Sequence, residues 1–219
     1  MRTRFGLDVL TTLRELCRAD RIALIVYDMQ VGIVRQLADG AAITERVAGV
    51  LDSARAHGVR VIFTRHMSLP QKLMGSFQLR QAMGWQKLTD PDSVQPWFLR
   101  GSPGFEIVPE LTPHADEAVI DKIAFSAFEG TPLATILRDC GLTAFAIVGI
   151  AVEIGIDPTA RHGADLGLVP IIVQDACGTG EPEAAQRSFS SLEWMGDAIM
   201  TDAAGFSAAL HSSDRVDKT

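Results

Sequence analysis

Short apolar runs alternate along the chain with segments of helical periodicity. The runs of strand length occupy 22–27, 59–64, 118–122, 144–149, 169–175 and 198–201. Apolar runs of this length, bounded by turn residues, are typical of strands buried on both faces. Because helical segments separate the runs, the pattern predicts a mainly parallel sheet of five to six strands.

The segments between the runs predict helices that cover both faces of this sheet. One helical face carries apolar side chains at Ile43, Val47, Val50, Leu51 and Ala54, and its segment ends at Gly58. Thr131 and Pro132 are typical of an N-cap and a first helical position. Further helices are predicted directly after 144–149, at about 183–194 and after 198–201. Residues 211–219 are predicted to be a frayed tail.

The segment 66–117, called the cover segment below, differs from the rest of the chain. It is rich in Pro, Gly, Gln, Met and Trp and has little periodicity. We interpret it as a loop or cover rather than a linker. Residues 1–219 are therefore expected to form a single domain with a three-layer α/β/α, Rossmann-type architecture.

Polar residues follow the predicted strands at one edge of the sheet. Asp28 follows the first run, Arg65 and His66 follow the second, Lys122 ends the third, and the turn 151–155 follows the fourth. Parallel sheets bind ligands beyond the carboxyl ends of their strands. A carboxylate, an ammonium and a helix N-terminus in one crevice could exchange protons and hold a developing anion.

Composition and charge narrow the class of protein. The 219 residues are 47% apolar with a net charge of −7, and no stripe of Lys or Arg indicates nucleic-acid binding. No apolar run approaches the roughly 20 residues that span a bilayer, and the first residues lack the apolar core of a secretory signal. The three cysteines, Cys17, Cys140 and Cys177, are widely spaced and are interpreted as reduced thiols. A cytoplasmic protein without membrane or nucleic-acid partners is predicted.

Several motifs occur in one order and spacing that resemble a known family. They are ALIVYDMQ, VIFTRH, LTPHADEAVIDKIAFSAFEGTPL, VGIAVEIGIDPTARHGADLG and VPIIVQDACG. Together they resemble the isochorismatase-like (cysteine) hydrolases over about residues 21–205. Most members of that family use an Asp, a Lys and a Cys, which correspond here to Asp28, Lys122 and position 155, where this chain has Gly155.

The resemblance also implies the arrangement of the backbone around that position. A cis peptide is implied between Ile150 and Ala151, and an oxyanion hole is implied from the amides of Ala151 and Gly155. Cys140 and Cys177 lie at other elements, so a thiol-based acyl-enzyme mechanism is not expected.

The branch of the family that carries Gly at this position hydrolyses vinyl ethers. By resemblance, Asp28 would be a general acid whose proton is retained by burial beneath the cover segment, and Lys122 would orient it and balance its charge. The absent side chain at Gly155 would leave room for a substrate ring. The substrate-binding residues are predicted to be Gln30, Arg65, His66, Arg80, Trp85, Phe125 and Glu153. Arg80 is the expected clamp for a substrate carboxylate, whereas Glu153 is either a general base or an acid placed by the helix dipole.

This chain departs from the vinyl-ether branch in its pocket, so isochorismate itself is not expected as the substrate. The hypothesis is a Cys-independent hydrolase of a small carboxylated metabolite. One alternative is a catalytically silent relative that binds a small molecule or serves as an interaction subunit, and another is an amidase whose Cys at position 155 was replaced. We expect no metal and no cofactor, since no acid precedes His66 by two residues. The family resemblance suggests a homodimer or a homotetramer.

Overall fold

The computed structural model describes residues 2–213, and a six-stranded parallel sheet forms its centre. The strands, in chain order, are β1 Arg2–Arg4, β2 Leu7–Val9, β3 Ile22–Tyr27, β4 Arg60–His66, β5 Ala118–Lys122, β6 Ala144–Ile150, β7 Val169–Gly178 and β8 Ile199–Thr201. The order across the sheet is β5-β4-β3-β6-β7-β8. The predicted parallel α/β sheet is confirmed.

Helices cover both faces of this sheet. They are α1 Leu13–Leu16, α2 Val31–Val34, α3 Gly40–Ala56, α4 Ser76–Gln86, α5 Leu133–Asp139, α6 Asp157–Asp165, α7 Pro182–Met195 and α8 Ala203–Ser213, with a π-helical turn at Val152–Ile156. One apolar core lies between the sheet and α1, α3 and α8, and the other lies between the sheet and α5, α6 and α7. Alternate residues of β3, β4, β6, β7 and β8 lie in opposite cores, so Val26 of β3 lies in the core beside α3 whereas Tyr27 lies in the core beside α5 and α6.

Two parts of the sequence prediction need correction at the ends of the chain. β1 and β2 form a separate antiparallel hairpin that the pattern did not indicate, because Phe5, Leu7 and Val9 are exposed rather than buried. At the other end, residues 211–213 belong to α8 and are not a frayed tail. The rest of that predicted tail, 214–219, lies outside the described residues.

The cover segment also contains more regular structure than its sequence indicates. It includes α4 and short 3₁₀ turns at Gln71–Leu73, Pro91–Ser93 and Pro109–Leu111. No residue of α4 is fully buried. Since only a buried face demands a continuous apolar stripe, this helix leaves no strong periodic signal in the sequence.

Candidate active site

A buried cluster of four side chains, which we call the floor, lies at the carboxyl ends of β3, β4 and β5. It consists of Tyr27, Asp28, Thr64 and Lys122. Tyr27 is in register with Thr64, and His66 is in register with Lys122, so the sequence positions after these strands meet at one edge. Lys122 Nζ donates to Asp28 Oδ2 at 2.7 Å, and Thr64 Oγ1 donates to Asp28 Oδ1 at 2.7 Å.

Burial sets the electrostatics of the floor. Asp28 and Lys122 are 4% and 3% exposed. Desolvation lowers the pKa of the Lys122 ammonium below its ordinary value, although the neighbouring Asp28 carboxylate opposes this. Burial and the Asp28 charge raise the pKa of Tyr27, so its phenol keeps its proton. The Tyr27 hydroxyl donates to the carbonyl of Phe125, and Lys122 Nζ lies 4.3 Å from the centroid of the Tyr27 ring.

A cavity of about 330 Å³ opens above the floor. Its polar end is formed by Asp28 and Lys122. Its walls include the aromatic side chains of Trp85, Trp97, Phe98 and Phe125, the aliphatic side chains of Ile33, Leu37, Ile150 and Ile154, and the side chain of Lys87. A polar end and apolar walls are typical of small-molecule sites.

His66 contributes a neutral ring to this cavity. Its ring packs edge-on against Trp85 and Phe98, with centroids 6.4 Å and 5.8 Å away. Burial lowers the pKa of His66 to about 4. Near pH 7 the imidazole is therefore uncharged and cannot serve as a cationic partner for a substrate carboxylate.

The turn that contains Gly155 differs from its predicted state in two respects. The space beside the Gly155 Cα is filled by the side chain of Tyr27. An ideal Cβ at Gly155 would fall within 2.5 Å of Oη, Cζ and Cε1 of Tyr27. No room for a substrate ring is left at that point. The Gly155 amide also donates to the Ala151 carbonyl at 3.0 Å, so it is not free to hold an oxyanion. The peptide bond between Ile150 and Ala151 is cis, and both residues line the cavity.

Three predicted substrate-binding residues lie away from the cavity. Gln30 is fully buried, and its amide bridges the backbone of His66 and Phe105. Arg65 pairs with Asp121 and Glu106, and its guanidinium stacks 4.2 Å from the centroid of the Phe105 ring. Arg80 is exposed on α4 and is not among the lining residues, so its role as a carboxylate clamp stays a prediction from the sequence.

Glu153 lies beside the rim of the cavity and holds backbone there. Its Oε1 accepts from the amides of Gly180 and Glu181 at 2.7 Å and 2.9 Å. Of these residues only Gly180 is among the lining residues. These two hydrogen bonds fix the backbone directly before α7, so Glu153 Oε1 is engaged by backbone amides.

The cysteines do not supply a nucleophile to this cavity. Cys17, Cys140 and Cys177 are free thiols, and none lines the cavity. Burial raises the pKa of Cys17 to about 12 and also raises that of Cys177, so both are poor nucleophiles at neutral pH. Within residues 2–213, no group of three or more His, Cys, Asp or Glu side chains is arranged to hold a metal ion.

Sequence reasoning missed several residues of the site. Thr64 is a polar residue at the end of an apolar strand run, and that signal could have identified it. Tyr27 looked like an ordinary buried strand residue. Lys87 lies in the cover segment, where the sequence offers no periodicity to place it.

Among residues 2–213, no helix combines the length and apolar character needed to cross a bilayer.

Comparisons with known proteins agree with the motifs. A family model described as the isochorismatase domain matches residues 22–204. Ureidoacrylate amidohydrolase RutB from Methylorubrum extorquens strain AM1 is 27% identical over 213 residues, covering 90% of this chain and 85% of that protein. RutB from Serratia proteamaculans strain 568 is 27% identical over 183 residues, covering 76% and 73%.

Solved structures share the fold. An isochorismatase family protein from Desulfovibrio vulgaris strain Hildenborough aligns with a TM-score of 0.71 and 26% identity, covering 92% of this chain and all of the other. N-carbamoylsarcosine amidase from Thermoplasma acidophilum aligns with a TM-score of 0.69 and 21% identity, covering 84% and 96%. The chain therefore belongs to the isochorismatase family of hydrolases.

Proposed function

We propose that this protein hydrolyses a small carboxylated metabolite of the vinyl-ether type, using water and no covalent enzyme intermediate. One observation carries the proposal. Asp28 is held between Thr64 and Lys122 at the polar end of a 330 Å³ cavity that no cysteine lines. Proton transfer is the chemistry that such a site can supply without a nucleophilic side chain.

The paired Asp28 and Lys122 act as a proton reservoir in this proposal. Because burial weakens the hold of Lys122 on its proton, the ammonium can pass a proton across the 2.7 Å hydrogen bond to Asp28. Asp28 then gives a proton to the terminal alkene carbon, the π electrons form the new C–H bond, and an oxocarbenium ion results. Water adds to this cation and returns one proton to the pair. The hemiketal collapses to a ketone and an alcohol, so protons and bonds balance.

Lys87 supports a carboxylated substrate. Of the residues that the structure describes, it is the one lysine or arginine besides Lys122 that lines the cavity. No carboxylate of residues 2–213 lies within ion-pair distance of Lys87, so its ammonium is available to a ligand. The aromatic walls at Trp85, Trp97 and Phe125 suit a flat, conjugated substrate.

A second candidate reaction is the hydrolysis of a ureido or amide bond. The likeness to proteins named ureidoacrylate amidohydrolase over 90% of the chain favours it. In that case Asp28 would remove a proton from the attacking water instead of protonating a carbon. Both reactions need Asp28, but they differ in the bond that is broken.

A substrate screen tests the proposal. The wild type and two variants, Asp28→Asn and Asp52→Asn, are assayed with enolpyruvyl ethers, ureido acids and simple amides. Asp52→Asn is the control, because Asp52 is exposed on α3. We expect turnover of an enolpyruvyl ether that falls at least about 100-fold in Asp28→Asn and is unchanged in Asp52→Asn. Turnover of ureido acids alone would replace the vinyl-ether reaction with the amidohydrolase reaction. Binding without turnover of any class would show a silent relative.

A further inference from the structure

The space beside Gly155 is occupied by the side chain of Tyr27. An ideal Cβ at position 155 would fall within 2.5 Å of three atoms of the phenol, Oη, Cζ and Cε1. Real Cβ atoms do not approach other heavy atoms so closely. Any side chain at position 155 therefore requires Tyr27 to move or to be smaller.

Tyr27 is not free to move. It is 2% exposed, and its hydroxyl donates to the Phe125 carbonyl. Its ring also lies under the Lys122 ammonium, 4.3 Å from the centroid. A rotation of Tyr27 away from Gly155 would break both interactions and leave the Phe125 carbonyl without its donor.

We propose that Tyr27 keeps position 155 free of a side chain and so excludes a nucleophile from this site. The Tyr27 phenol fills the volume that a nucleophilic side chain at position 155 would need. In that place it donates to the Phe125 carbonyl, and its ring packs against the Lys122 ammonium. Tyr27 and Gly155 are thus a coupled pair, in which the cost of a side chain at position 155 depends on the side chain at position 27. The consequence for catalysis rests on the Cys-free reaction proposed above, whereas the coupling itself needs no substrate.

A double-variant cycle in urea tests the coupling. We expect Gly155→Ala to lower the unfolding midpoint by about 1 M in the wild-type background, because the added methyl overpacks the core. In a Tyr27→Val background the same change should not lower the midpoint, because the ring is gone. Tyr27→Phe is the matched control: it removes the hydroxyl but keeps Cζ and Cε1, so Gly155→Ala should still lower its midpoint.

Gly163→Ala gives a second control on the same side of the sheet. An added Cβ there would lie 2.7 Å from Cζ of Phe145 rather than near Tyr27. Its cost should therefore be equal in the wild-type and Tyr27→Val backgrounds. The proposal is overturned if Gly155→Ala is harmless while Tyr27 is present, or if Tyr27→Val does not relieve its cost.

Thiol labelling tests whether the volume faces the cavity. The exposed Cys140 is first replaced by Ser, and Tyr27→Val and Gly155→Cys are then combined. Iodoacetamide alkylates an accessible thiolate and releases iodide, so the folded protein should gain a carbamidomethyl group on the peptide that contains position 155. A folded double variant that stays unlabelled there would overturn the inference that Tyr27 occupies a nucleophile's place. Because neither experiment uses a substrate, failure of the proposed reaction would be seen separately in the screen.

Discussion

The floor and the cover segment meet at one cavity but are built in different ways. Asp28 and Lys122 are almost fully buried, come from strand ends and are fixed by hydrogen bonds of 2.7 Å. Trp85 and Trp97, from the cover segment, are each 41% exposed and are held by ring contacts. Rigid sheet edges can hold reacting groups in place, whereas a half-exposed cover can vary without loss of the fold. The proposed reaction accordingly assigns proton transfer to the floor and substrate selection to the cover.

Lys122→Met removes the ion pair of the floor and should have the largest effect on stability and turnover. The variant leaves the Asp28 carboxylate buried without its partner, which typically costs about 3–5 kcal/mol. We expect the free energy of unfolding in urea to fall by that amount and turnover to be lost.

The double variant Lys122→Met with Asp28→Asn separates stability from chemistry. Removal of both charges should recover most of the free energy of unfolding, since no isolated buried charge remains. Turnover should stay absent. A double variant as unstable as Lys122→Met would mean that packing, and not the ion pair, holds the floor.

His66 lies where the floor meets the cover, and its titration should be the next largest effect. Its pKa is about 4 in the folded protein and about 6.5 in the unfolded chain, so the unfolded state binds more protons between these values. Stability is therefore lost as pH falls from about 6.5 towards about 4, by roughly 2 kcal/mol after allowance for solvent contact. The nearby charges of Asp28 and Lys122 act on the imidazole in opposite directions.

Urea unfolding at pH 7 and pH 4.5 measures this effect. His66→Gln should show a smaller loss of stability between the two pH values than the wild type. His114→Gln, at an exposed loop position, should behave as the wild type does. Equal pH dependence in His66→Gln and the wild type would show that His66 is not held neutral by burial.

The sequence predicted the floor better than the cover, and the reason is physical. Asp28 and Lys122 end apolar strands, and parallel strands bring their ends to one edge, so pattern alone brought these residues together. The sequence did not identify Tyr27 as a site residue, because its role depends on the distance between β3 and the turn at Gly155. Hydrophobic periodicity does not encode that distance. Arg80 was chosen for its charge and its place in the cover segment, but it is exposed on α4. Lys87, which follows α4 directly, is the cation of the cover segment that lines the cavity.

Trp85→Ala should affect the cover without affecting the floor. Trp85 packs against His66 and Phe125, with centroids 6.4 Å and 6.3 Å away, but 41% of it is exposed. We expect KM to rise about tenfold, which corresponds to about 1.4 kcal/mol of binding, with kcat within about twofold of the wild type. Steady-state kinetics on the substrate found in the screen measure both values. A fall in kcat with unchanged KM would instead give Trp85 a part in the chemical step.

Lys87→Gln should have the smallest effect, because the Lys87 ammonium is exposed and water screens its charge. Lys87 is the C-cap of α4 and has a φ of 56°, in the left-handed region. This backbone conformation is as unfavourable for Gln as for Lys, so the free energy of unfolding should stay within about 0.5 kcal/mol of the wild type. For a carboxylated substrate KM should rise about threefold at low salt, and the difference should shrink as ionic strength increases. Lys72→Gln, at an exposed site outside the cavity lining, is the control. An unchanged KM in Lys87→Gln at low salt would contradict the proposal that the substrate carries a carboxylate. It would not bear on the proton transfer proposed for Asp28 and Lys122.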